Sequence, residues 1–82
     1  MTTQKSKILI TGGAGFIGTN LKYELRSRGH DVWTSDILQG VEATHIKADC
    51  GVYQQMDAIF REHQFDFVYH LAAEYGLSLI HI

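Results

Sequence analysis

Four glycines within seven positions, Gly12, Gly13, Gly15 and Gly18, interrupt the chain near its start. The residues before them, Ile8-Leu9-Ile10 between Lys7 and Thr11, form a short apolar run. Such a run suits a strand buried on both faces. From Phe16 the apolar residues return at helical spacing. A strand that turns through glycines into a helix start leaves backbone N–H groups unbonded. It also aims the positive end of the helix dipole at the same spot. A junction of this kind attracts an anion.

Two glycine registers are present. Gly13, Gly15 and Gly18 read as G-x-G-x-x-G, and Gly12, Gly15 and Gly18 read as G-x-x-G-x-x-G. In either register the first glycine allows a tight turn. The middle one lets a diphosphate approach the backbone without meeting a Cβ. Gly18 lets the helix pack close to the strand. A glycine-rich turn without a ligand is the competing reading. The strand before, the helix after and an acid further along argue for a dinucleotide site.

The chain has 82 residues, enough for one small domain. At 45% apolar and 20% charged it is globular rather than disordered material. A formal net charge of −2 without a basic cluster argues against a nucleic-acid surface. The first seven residues are polar and no apolar run approaches the length of a membrane span, so neither a signal peptide nor a membrane partner is expected. Cys50 is the single cysteine and has no internal disulfide partner, which fits a reducing compartment, the cytoplasm by default.

The pattern predicts a strand over 7–11 and a helix from Phe16 to about Arg28. Ile17, Leu21 and Leu25 would form the helix's apolar stripe, with Lys22, Arg26 and Arg28 on the wet side. Gly29 sits where a helix-terminating glycine belongs, and His30 reads as a surface residue after it. A second strand spans Asp31 to Asp36, rich in β-formers at Val32, Trp33 and Thr34. Asp36 ends it, 18 positions after Gly18. A carboxylate there can accept hydrogen bonds from both hydroxyls of an adenosine ribose and repel a 2′-phosphate, favouring NAD over NADP. A turn aspartate or helix cap is the weaker alternative.

Ile37 to Ala43 is too short for a crossover helix and reads as a bare loop to a third strand, Thr44 to Ala48. Asp49 lies beside an adenine or caps the next helix; both readings stay open. Cys50 reads as a small buried apolar residue rather than a nucleophile. Val52 to His63 is a second helix with Tyr53, Met56, Ile59 and Phe60 as its stripe. His45 and His63 have no partner at metal spacing, so no metal site is assigned. Asp66 to Ala73 reads as a central strand, apolar on both faces, with His70 a hydrogen-bonded strand histidine. Ala72 and Ala73 are small residues at its end, where ligands lie in open α/β sheets. The order strand, helix, strand, loop, strand, helix, strand gives an α/β chain. Its expected fold is a partial Rossmann-type parallel sheet of about four strands in the order 3-2-1-4, with two main helices.

Thr11-Gly12-Gly13-Ala14-Gly15-Phe16-Ile17-Gly18, then Asp36, then His70-Leu71-Ala72-Ala73 resemble the extended short-chain dehydrogenase/reductases. Within these the chain is most similar to the NAD-dependent epimerase/dehydratase family, many members of which act on nucleotide sugars. The resemblance covers about Lys7 to Gly76. It implies NAD as cofactor, a nucleotide-sugar as substrate and a homodimeric parent protein. It places Gly12, Gly15, Phe16 and Ile17 against the NAD diphosphate. Asp36 would hold the adenine ribose, with Ile37 beside the adenine and Asp49 and Cys50 near its edge. Leu71, Ala72 and Ala73 would line the inner cleft.

The family's acid/base pair, Tyr-x-x-x-Lys, occurs nowhere in the chain: no tyrosine is followed four positions later by lysine. No catalytic residue is therefore assigned. The chain is read as the N-terminal cofactor-binding portion of an epimerase/dehydratase, inactive alone; NADH formation with a sugar nucleotide would contradict this. A dinucleotide-sensing module without catalysis is the alternative. Residues 1–76 form the NAD-binding unit in this reading. The mostly apolar Leu77-Ser78-Leu79-Ile80-His81-Ile82 fits the family poorly. It is read as a truncated or frame-shifted tail rather than an edge strand, and the coding sequence past Ile82 checks this. Truncation would leave the fourth strand as an open edge.

Overall fold

The computed structural model describes residues 5–13, 15–38, 40–71 and the backbone of 78–81. The elements are β1 (Lys7–Thr11), α1 (Phe16–Ser27), β2 (Asp31–Asp36), β3 (His45–Lys47), α2 (Tyr53–Glu62), β4 (Phe67–His70) and β5 (Ser78–His81). They build one sheet in the order β3-β2-β1-β4-β5. β1 pairs in parallel with β2 and with β4, and β2 with β3. The 3-2-1-4 parallel order is the one the sequence pattern predicts.

The central place of β1 follows from its side chains. Successive residues of a strand point to opposite faces, and β1 is apolar on both. Ile8 and Ile10 join Val32 and Leu25 in a cluster on the α1 side, with Leu21, Phe67 and Tyr69 packed against it. Leu9 joins Ala48, Ile59, Phe65 and Val68 in a second cluster, with Trp33, Ile46 and Met56 at its margin. The α1 terminus follows from Gly29, whose φ of 89° only glycine adopts at little cost. Its N–H donates to the Arg26 carbonyl, and the His30 N–H donates to the Leu25 carbonyl. That pair of bonds closes a helix in a Schellman motif.

Several expectations are corrected. Ile17 does not belong to the α1 stripe and is 64% exposed. The residues turned inward are Gly18, Leu21 and Leu25, spaced i, i+3, i+7. Counting by fours from Leu25 back to Ile17 adds about 40° of drift per step, enough to leave the buried face. Tyr53 and Phe60 are likewise exposed, leaving Ile59 and Met56 to pack α2. Lys22 and Arg26 are half-buried under the β2–β3 loop rather than on the wet side. His30 is half-buried, its Nδ1 accepting the Ser6 N–H at 3.1 Å. Cys50 is half-buried, not buried. β3 and β4 are shorter than expected.

Residues 78–81, read from the sequence as part of an atypical tail, pair antiparallel with β4. β4 is therefore not the open edge expected. Ala72 and Ala73 lie outside the described residues. No helix among the described residues is long and apolar enough to cross a membrane.

Candidate functional site

The turn between β1 and α1 has a fixed internal geometry. Gly12 has φ 73°, the left-handed conformation that favours glycine, so Gly12 makes the turn. The N–H groups of Gly12 and Gly13 both donate to the Ser35 carbonyl, at 2.7 and 3.0 Å. β2 thereby holds the turn in place. Gly13 is buried against Thr34, where an added Cβ would come within 2.6 Å of the threonine Cβ. An added Cβ on Gly15 would find only the Gly12 carbonyl oxygen, at 3.8 Å. On Gly18 it would meet the Gly13 Cα at 2.7 Å and the Gly12 oxygen at 2.8 Å. The three roles of turn, open approach and close packing thus fall on Gly12, Gly15 and Gly18. Gly13 serves packing against β2.

Gly15 is also the N-cap of α1, extended and without a side-chain cap. The first helical bond runs from the Thr19 N–H to the Gly15 carbonyl at 2.9 Å. The N–H groups of Phe16, Ile17 and Gly18 therefore precede the helical ladder. Phe16 and Ile17 themselves project outward, at 84% and 64% exposure.

Beside this turn, at the carboxyl ends of β1, β2 and β4, lies a cavity of about 430 Å³. Of the residues singled out by sequence, Gly12, Gly15, Asp36, Ile37, Asp49, Cys50 and Leu71 line it. Gly13, Gly18, Phe16 and Ile17 do not. Sequence reasoning missed three further lining residues, Ser35, Leu38 and Ala48. Ser35 carried a signal, since it is a hydroxyl in a strand end otherwise suited to burial. A second cavity of about 400 Å³ shares Ile37, Ala48 and Asp49 and extends toward Lys47 and Gln55.

Asp36 stands at the end of β2. Its Oδ1 accepts the Leu38 N–H at 3.1 Å and its carbonyl accepts the Ala48 N–H at 2.9 Å. Asp49 is not the cap of α2, which correction removes one of its two readings. The N-cap is Val52, with no side-chain bond, and Asp49 Oδ1 instead accepts the Gly51 N–H at 2.9 Å. The Asp49 N–H donates to Gln55 Oε1 at 2.7 Å, tying this corner to α2.

The loop that carries Ile37 and Leu38 is anchored on the other side of the sheet. His45 Nε2 lies 2.9 Å from the Leu38 carbonyl, which only accepts, so that nitrogen donates. Its Nδ1 then accepts from the Thr34 hydroxyl at 2.7 Å. Glu42 receives Lys22 and Arg26, both at 3.0 Å. Arg26 also donates to the Val32 carbonyl and to Thr44 Oγ1. The Arg26 hydrogen bond first, then that of Lys22, holds the Glu42 carboxyl below its ordinary value near 4.5.

A carboxyl depressed in the folded state stabilises the fold above its unfolded value, and the contribution fades as pH falls through the folded value. Glu42→Gln is therefore expected to lower stability by under about 1 kcal/mol at neutral pH, because the carboxylate is over a third exposed. The deficit should close in acid, once pH has fallen through the lowered folded value. Thermal unfolding at both pH values checks it; an equal deficit in acid would contradict the assignment.

Thr11 Oγ1 and His70 Nδ1, 2.7 Å apart, join the ends of β1 and β4. His70 is thus a hydrogen-bonded strand histidine, as its sequence context indicates. Leu71 continues past it, its N–H donating to the Thr11 carbonyl at 2.9 Å and its own carbonyl crowding Gly12.

Comparison with known proteins agrees with this architecture. Residues 8–79 match the model of the NAD dependent epimerase/dehydratase family. A UDP-glucose 4-epimerase of Klebsiella pneumoniae is 34% identical over 80 residues, covering 80% of this chain and 58% of that protein. An ADP-L-glycero-D-manno-heptose-6-epimerase of Alkalilimnicola ehrlichii is 41% identical over 72 residues, covering 87% of this chain and 21% of that protein. The structure of the epimerase Mth375 from Methanothermobacter thermautotrophicus superposes with a TM-score of 0.72 at 29% identity, over 89% of this chain and 24% of that one. The chain therefore spans between about a fifth and 58% of the length of these relatives. The match over nearly the whole chain, on a shared parallel sheet, identifies it: it belongs to the NAD-dependent epimerase/dehydratase family, with NAD as cofactor.

Proposed function

We propose that residues 1–76 are the NAD-binding portion of an enzyme that acts on a nucleotide-sugar. The carrying observation is that one cavity joins the Gly12–Gly15 turn to the Asp36 carboxylate. In this reading the N–H groups of Phe16, Ile17 and Gly18 receive the diphosphate, with Gly12 and Gly15 allowing its approach and Gly13 and Gly18 fixing the turn. Asp36 accepts from the adenosine ribose. Ile37, Asp49 and Cys50 surround the adenine, and Leu71 borders the inner end. When bound, NAD supplies the hydride acceptor for oxidation of a sugar carbon. The names of the relatives, epimerases of UDP-glucose and of an ADP-heptose, support a nucleotide-sugar as substrate.

No tyrosine of the chain stands at the Tyr-x-x-x-Lys spacing. The chain's own work is therefore binding and orientation, and it does not turn over alone. A homodimer of the parent enzyme completes the proposal by the same family resemblance.

Calorimetric titration of the chain with NAD and with NADP tests the site. NAD is expected to bind more tightly than NADP, because Asp36 repels a 2′-phosphate. Asp36→Ala is expected to weaken NAD about tenfold, the worth of a charge-assisted hydrogen bond, and to narrow the preference. Failure of the folded chain to bind NAD would overturn the reading.

A further inference from the structure

Among the described residues the sheet buries three hydroxyl side chains: Thr11, Thr34 and Ser35, each 2% exposed or less. Two of them are partnered. Thr11 Oγ1 meets His70 Nδ1 and Thr34 Oγ1 meets His45 Nδ1, each at 2.7 Å. Ser35 Oγ is buried with no hydrogen-bond partner. A buried hydroxyl without a partner is costly and calls for a physical reason.

Its position supplies one. Ser35 alternates with Thr34 and so shares the sheet face of Trp33, where the apolar cluster of Leu9 and Ala48 leaves the hydroxyl no polar protein neighbour. The end of that face borders the 430 Å³ cavity, whose lining includes Ser35 and Ala48 with Gly12 and Asp36. Its carbonyl is already committed to the Gly12 and Gly13 N–H groups. Only the side chain is left to act.

Resting on the NAD site proposed above, we infer that the Ser35 hydroxyl donates a hydrogen bond to an oxygen on the adenosine side of the dinucleotide, a ribose or α-phosphate oxygen. Ser35 is then a ligand-contacting residue, distinct in role from Asp36. The acid accepts from the ribose, whereas the hydroxyl donates to the nucleotide. The unliganded chain carries the cost of an unpaired group that the ligand relieves.

The test is Ser35→Ala in the full 82-residue chain, with NAD, ADP, AMP and adenosine titrated by calorimetry and thermal unfolding followed without ligand. NAD affinity should fall about five- to tenfold. The unliganded chain should unfold at an equal or higher temperature, since alanine removes a buried unpaired hydroxyl. A loss shared by adenosine assigns the acceptor to the ribose; a loss confined to AMP, ADP and NAD assigns it to the phosphate. Either result supports the inference. Unchanged NAD affinity overturns it, as does a lower unfolding temperature with proportionate loss for every ligand, the mark of a purely structural hydroxyl. Asp36→Ala in parallel separates the two proposals. If Asp36→Ala weakens NAD and Ser35→Ala does not, the site stands and the Ser35 role falls. If the unsubstituted chain binds no NAD, both fall.

Discussion

Leu9→Ala is expected to remove more than a third of the stability of this chain. Leu9 is 0% exposed in the middle of β1, the strand flanked on both sides by parallel partners. It touches the cluster of Ala48, Ile59, Phe65 and Val68, which joins β1, β4 and the α2 layer. Truncating a buried leucine costs about 2–5 kcal/mol, the larger values where neighbours cannot collapse into the space. Here the backbone of Leu9 is itself held by strand pairing on both sides. A domain of this length has only about 4–12 kcal/mol in all. Urea denaturation followed by circular dichroism should show the midpoint falling by more than a third. Leu9→Met, which keeps the volume, should cost under about 1.5 kcal/mol. Equal midpoints for Leu9→Ala and the parent chain would refute the packing account.

The second large effect separates two glycines that sequence alone treats alike. Gly18→Val would drive its Cβ to within 3 Å of the Gly12–Gly13 backbone, which cannot swing aside as a flexible side chain can. α1 must then lift from the turn, at a cost of about 3 kcal/mol, the upper part of the usual overpacking range. NAD binding should be lost with it, because the N–H groups of Phe16 to Gly18 move with the helix. Gly15→Ala meets no atom closer than 3.8 Å and has no left-handed φ to strain. It should leave stability within about 0.5 kcal/mol of the parent while weakening NAD at least tenfold, because the methyl group enters the diphosphate approach. Paired unfolding and calorimetry read both. Parallel losses of stability and affinity in the two variants would mean that Gly15 is a packing residue too.

Much of this was readable in the sequence, for physical reasons. A two-sided apolar run before clustered glycines has few structural solutions, so β1, the turn and α1 were legible together. So was the place of Asp36 at the end of β2, because it closes a β-rich segment at a spacing that the βαβ unit fixes. What was not legible depends on three-dimensional angles. The choice between Gly12 and Gly13 rests on φ and on the nearness of Thr34, neither visible in a motif. The burial of Lys22 and Arg26 depends on Glu42 reaching back from a loop that spacing describes only as short. The sequence shows for His63 only the lack of a partner at metal spacing, whereas in the fold it packs on Trp33 at 4.5 Å between ring centroids and accepts from Lys7 Nζ at 3.1 Å. The signal at Ser35, a hydroxyl in a strand end suited to burial, points to a site only once its partners are counted.

The central strand has two histories in one fold. On one side β1 meets β2 across a single helix, with Ser6 and His30 bonded over a separation of 24 positions. On the other it meets β4, with Thr11 and His70 bonded over 59. Contacts of longer separation cost more loop entropy and form later. On a ribosome the β1–α1–β2 unit therefore emerges complete while Leu9 still faces water. The same strand that carries the glycine turn stays half-clothed until residues near Phe67 clear the exit tunnel. The interval between the emergence of Asp36 and that of Phe67 thus sets how long the nascent chain presents an adhesive edge to its neighbours.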